Sequence, residues 1–151
     1  MRHDGVRLGL SLILMMCFAH PTWATDYALI VNVENDFAGE THDLKLKIQR
    51  LYLKQQRNWQ PGVKAKVFAR PEHSPEQQAF LIHVLDMNHS RLIAHWLSLK
   101  QKTGETPPRS IKRTPTVIRL VAKKVGAFGV VPATEALALN SRVRVLFRFT
   151  D

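Results

Sequence analysis

VFARPEHSPEQQAF, residues 67–80, is the stretch on which the reading of the whole chain turns. An alternating run ends near Ala69, a polar loop follows, and Ser74-Pro75 opens a helix whose apolar face begins at Phe80. The first turn of a helix carries amide donors without intrahelical partners and the positive end of the dipole. A strand that feeds such a start through a short loop therefore builds an anion site. The same residues also fit a capping box, in which the Ser74 hydroxyl accepts from the third amide and Gln77 reaches back to the cap. Ser74 is thus read both as a cap and as an anion ligand.

Working outward, Tyr27 to Val33 (YALIVNV) is a short apolar run and reads as a buried strand. In THDLKLKIQRLYL, Leu44, Ile48, Leu51 and Tyr52 recur at helical spacing, with Thr41 placed to cap. NWQPG is a turn, and VKAKVFA alternates as a strand, so strand, helix and strand imply a parallel pair with a right-handed crossover. Trp59 is expected to pack the helix end onto the sheet. Downstream, the central helix runs from Pro75 to about Leu85. Asn88 then caps another, with Leu92, Ile93, Trp96 and Leu97 as its inward stripe.

KQKTGETPPRSIKR, residues 100–113, carries Pro and Gly, is strongly basic and has no period, which predicts a loop. Thr114-Pro115 repeats the hydroxyl-then-proline grammar and opens a helix to Lys124. Gly126 is read as its stop. AFGVVPA is a central strand in which Gly129 admits a neighbouring backbone, and VRVLFRF is an edge strand with Val143, Val145 and Phe147 on one face.

The 151 residues hold 22 basic and 12 acidic side chains, a net charge of +10. Arg2 and Arg7 precede an apolar run from Leu8 to Ala19, too short to span a bilayer but suited to a secretory leader, with cleavage expected after Ala24. The other readings of that run are an uncleaved anchor or a buried helix. Cleavage leaves 20 basic and 11 acidic residues, a net charge of +9. It also removes Cys17, the only cysteine, which excludes disulfides, Cys catalysis and Cys metal sites from the mature chain. Met16 before Cys17 does not suit a lipidation signal. A basic exported protein meets phosphates and acidic envelope components rather than nucleic acid.

Three stretches carry a resemblance. Arg70, Glu72, Ser74, Pro75, Glu76, Gln77 and Phe80 align with an Arg-Glu pair, Ser-Gly-Thr-Arg and a following Phe in the substrate-binding proteins of phosphate ABC transporters. LYLKQQRNW (Leu51 to Trp59) resembles that family's Ile-Phe-x-Gly-Lys-x-x-x-Trp, and GAFGVVPA (Gly126 to Ala133) its Gly-Ala-Ile-Gly-Tyr-Val. Together they cover nearly all of the mature chain and about one lobe of the two-lobed fold, which is most similar to short, single-lobe relatives. The resemblance implies a single α/β lobe with a mostly parallel sheet flanked by helices, as in one lobe of a type 2 periplasmic binding protein. It also implies a periplasmic location.

On that resemblance, an oxyanion such as phosphate would sit at the helix start, with Arg70, Ser74, Glu76, Gln77 and Thr114 as candidate residues. Two departures imply weak binding. Pro75 has no amide proton, and Gln77 stands where the family has arginine. The alternative is an interaction protein that docks a membrane transporter or sensor through Lys100, Lys102, Arg109, Lys112 and Arg113. No nucleophile with an adjacent base, no paired carboxylates and no strong phosphate loop can be assembled, so a non-enzymatic chain without cofactor is expected. His73, His83, His89 and His95 lack the helical spacing that brings two imidazoles to one metal.

Overall fold

The computed structural model describes residues 24–136 and 140–151; the expected leader lies, but for Ala24, outside them. In chain order the elements are β1 (Asp26–Asn32), α1 (Thr41–Tyr52), β2 (Asn58–Gln60), β3 (Val63–Lys64), β4 (Lys66–Ala69) and α2 (Pro75–His83). They continue with α3 (His89–Thr103), β5 (Arg109–Ser110), α4 (Thr114–Ala122), β6 (Ala127–Pro132), α5 (Ala133–Ala136) and β7 (Val143–Thr150). Among the described residues, five strands form one sheet in the order β5-β4-β6-β1-β7, and β2 and β3 form a separate hairpin that turns at Gly62.

The chain is an α/β lobe with helices on both faces of the sheet. Tyr27, Leu29 and Val31 of β1 pack toward α1, α2 and α3 with Ile48, Leu51, Phe80 and Trp96. Ala28 and Ile30 pack toward α4 and α5 with Val117, Val121 and Ala136. A strand covered on both faces needs apolar residues at every position, which is why YALIV is a continuous run rather than an alternating one.

Pairing direction divides the sheet. The strands β5, β4 and β6 are mutually parallel, whereas β1 is antiparallel to both β6 and β7. The parallel pair expected from β1, α1 and β4 is not formed. The β6 strand lies between them, and the β2–β3 hairpin lengthens the connection enough to turn the chain once more before it enters the sheet. Within the parallel part, the chain leaves β4 through α2 and α3 on one face to reach β5. It then crosses through α4 on the other face to reach β6. Opposite steps on opposite faces are what a constant crossover handedness requires. The starts of α2 and α4 consequently converge at the carboxyl edge of the parallel strands, the place where open α/β sheets hold ligands.

Three local expectations are corrected. The β7 strand is an edge strand as expected, but its register slips by one residue opposite Leu29 and Ile30, so that Leu146 is the extra residue. One extra residue reverses the alternation. Val143 and Val145 therefore join the α4 side, whereas Phe147 and Phe149 join the α1–α3 side. Residues 100–113 are not one loop: α3 continues to Thr103 and ends at Gly104 in the left-handed conformation (φ 74°), and Arg109–Ser110 pairs with β4. Finally, α4 already ends at Ala122, and Gly126 serves close approach instead. A Cβ there would lie 1.9 Å from the Lys64 carbonyl oxygen.

Trp59 seals the same junction. Its indole Nε1 donates to the Gly126 carbonyl at 2.9 Å and its ring packs edge-on against Phe128. Gly126→Ala is accordingly expected to destabilise the protein by about 3 kcal/mol, since the clash is with backbone that cannot rotate away. Chemical denaturation with the midpoint read by Trp fluorescence measures it.

Candidate functional site

Arg70 leaves the carboxyl end of β4 and is buried, with 5% of its surface exposed. Its Nη2 donates to Glu76 Oε1 at 3.0 Å and to Thr114 Oγ1 at 3.2 Å, which ties the starts of α2 and α4 together. Glu76 lies in the first turn of α2, where the dipole favours a carboxylate. A guanidinium has five N–H donors, and among the described residues Arg70 Nε and Nη1 find no acceptor. A buried cation with unsatisfied donors is costly, and one carboxylate compensates only part of that.

Ser74 is the N-cap of α2, with its hydroxyl accepting from the Gln77 amide at 3.3 Å and Pro75 in the first turn. The second half of the expected capping box is absent. The Ser74 amide donates to the Pro71 carbonyl, and the Gln77 side chain turns inward. There its Oε1 accepts from the Arg70 amide at 3.1 Å and its Nε2 donates to the Tyr52 hydroxyl at 3.1 Å. Gln77 thus braces the loop from inside. Thr114 is also displaced from its expected role: Arg113 is the N-cap of α4, and the Thr114 hydroxyl serves Arg70.

Beside Arg70 lies a cavity of about 410 Å³ between α2, α3 and the segment before β5. Tyr52, Gln77, Leu81, Leu92 and Trp96 line its inner side, and Pro107 and Pro108 its outer wall. Glu72 and His89, joined at 2.6 Å, and Lys100 also line it. The α3 stripe read from the sequence is split here. Leu92 and Trp96 are buried, but Ile93 and Leu97 remain 45% and 58% exposed beside the cavity. Trp96 Nε1 is buried without an acceptor among the described residues. Tyr52 and Trp96 carry no site signal in the sequence beyond helical spacing, which core residues share.

Of the other basic residues only Lys100 reaches this cavity. Lys100, Lys102, Arg109, Lys112 and Arg113 are all exposed, and among the described residues none pairs with a carboxylate. No group of three or more His, Cys, Asp or Glu that could hold a metal occurs among the described residues.

Two outcomes test the inner brace. Burial pushes the Tyr52 hydroxyl up to about 12, opposed by the smaller effect of the Gln77 bond. A folded value above the unfolded one means that neutral Tyr52 stabilises the protein below about pH 10, and that this contribution disappears as pH rises through about 12. Tyrosinate absorbance should therefore show a step near pH 12 in the native protein that Tyr52→Phe removes. Gln77→Ala should cost about 3 kcal/mol in thermal or chemical unfolding, because it strands the Arg70 amide and opens a gap. A residue that only assisted a cap would cost about 1 kcal/mol.

No protein-family model matches the chain, and no curated protein matches it in sequence. Solved structures do share its fold. A Vibrio cholerae ABC-type phosphate transport receptor aligns with a TM-score of 0.55 and 19% identity over 82% of this chain and 46% of its own. A candidate phosphate-binding protein from Planctomyces limnophilus gives 0.57 and 12% identity over 82% and 41%. A candidate phosphate ABC transporter substrate-binding protein from Clostridium perfringens, solved with phosphate bound, gives 0.56 and 15% identity over 82% and 44%. The chain spans less than half the length of each. Its fold is that of one part of these substrate-binding proteins, as expected of a single lobe.

Proposed function

We propose that the chain is an exported, solute-binding-like module that binds phosphate or a related oxyanion weakly, in the service of transport or sensing, and is not an enzyme. The observation that carries this is the buried Arg70 guanidinium, with Nε and Nη1 unpartnered among the described residues where the starts of α2 and α4 meet the ends of parallel strands. A positive group held out of water with free donors is suited to a desolvated anion. The fold neighbours support the reading, since one of them was solved with phosphate bound.

The chemistry also accounts for weakness. Glu76 already occupies Nη2 and offsets the charge, and Pro75 contributes no amide. Ser74 and Thr114 supply hydroxyls at the two helix starts, and the Thr114 oxygen, which accepts from Arg70, keeps its own proton to donate. A second reading rests on the five exposed basic residues from Lys100 to Arg113. It makes the chain a docking protein for a membrane transporter or sensor, with the fold kept and the ligand lost.

Calorimetric titration with inorganic phosphate separates the two. The first reading expects a Kd on the order of 0.1 to 1 mM. It expects Arg70→Lys, which keeps the charge but not the planar donor set, to weaken binding about tenfold. Absence of phosphate binding would favour docking, in which case neutralising Lys100, Lys102, Arg109, Lys112 and Arg113 should abolish capture of an envelope partner with little change in stability. Export is tested by intact mass. The protein recovered from its native envelope should begin at or near Thr25, and retention of residues 8–19 would overturn the exported reading.

A further inference from the structure

We infer that the cavity beside Arg70 takes a small amphipathic monocarboxylate, an acid with a short hydrocarbon or aromatic body, in preference to an inorganic oxyanion. The inference rests on the reading of Arg70 as an anion ligand and names the class of anion. Four observations carry it.

The first is size. A volume of about 410 Å³ falls in the range of organic-ligand pockets and is far more than a tetrahedral oxyanion fills. The second is the wall. Leu81, Leu92, Ile93, Leu97, Pro107 and Pro108 all face this space, and an inorganic ion would leave them against water. The exposure of Ile93 and Leu97 is otherwise unexplained, because the stripe to which they belong is wider than the core beneath it needs.

The third observation is the donors. Arg70 and Trp96 both line the cavity, both are more than nine-tenths buried, and both carry N–H groups without acceptors among the described residues. A cationic and a neutral donor beside one apolar space suit a carboxylate with a body attached. The head group is placed against the wall that Arg70, Trp96 and Lys100 share. The fourth is charge. The two carboxylates Glu76 and Glu72 stand against Arg70 and Lys100, Glu76 on Arg70 at 3.0 Å and Glu72 and Lys100 on the wall. A site so nearly balanced accepts one negative charge more readily than the two of phosphate near neutral pH.

Isothermal titration of the purified protein with acetate, butyrate, hexanoate, hexanol and inorganic phosphate tests this. Affinity should rise about threefold per methylene from acetate to hexanoate. Hexanoate should bind at least about tenfold more tightly than phosphate, and hexanol should give no signal. Ile93→Asn combined with Leu97→Asn should flatten the carboxylate series. Both positions are exposed enough for the fold to survive, which circular dichroism verifies. A flat series with phosphate as tight as hexanoate overturns the inference and leaves the oxyanion reading standing. Hexanol as tight as hexanoate removes the head group's role and overturns the inference. Silence from every probe, phosphate included, overturns both.

Discussion

A single positive charge held out of water organises the end of this molecule where the helices begin. Burying Arg70 is expensive unless its surroundings are fixed, and they are fixed from three directions: Glu76 from its own loop and helix, Thr114 from the far side of the sheet, and Gln77 through the backbone. Because Thr114 is 44 residues away in sequence, the contact can form only once α2 and α4 have been laid on opposite faces. The charge thus reports on completion of the parallel half of the sheet. Among the described residues two of its donors stay idle, which an ion pair serving only to join two helices would not require.

The architecture that delivers these helix starts was largely written in local pattern. Phe80, Leu81, Val84 and Leu85 are buried as their spacing requires, Ser74 and Asn88 cap where the preceding polar loops place them, and Gly129 lies in a central strand against Phe68 and Val117. These features depend on residues within one or two turns of each other. What escaped the sequence depends on distant partners. The antiparallel pairing of β1 is settled by β6, some hundred residues on, and the reversal of faces in β7 by one inserted residue, which no hydrophobic pattern marks.

The site follows the same division. Arg70, Ser74, Glu76, Gln77 and Thr114 were legible as a group because the loop and both helix starts announce themselves by Ser-Pro and Thr-Pro. Their roles were not. Gln77 at the third helical position looks like the partner of a cap, and only the nearness of Tyr52, on a helix 25 residues upstream, draws it inward. The cavity was invisible for a related reason. Ile93 and Leu97 satisfy helical periodicity as well as any core residue, and sequence cannot distinguish an apolar face that meets the core from one that meets an opening.

The slip in β7 bears on how the molecule avoids joining its sheet to that of a neighbour. Edge strands offer unpaired amides and carbonyls to any passing chain. Here the strand at one border is interrupted at Leu146 and carries Arg144 and Arg148 beside the interruption, so that an incoming strand meets a mismatch of spacing together with positive charge. At the opposite border β5 is two residues long, too short to template an extended partner. A sheet bounded in this way resists joining edge to edge with a neighbour, and the large exposed apolar side chains among the described residues lie off its strands, Ile82, Ile93 and Leu97 on helices and Val33 in a turn.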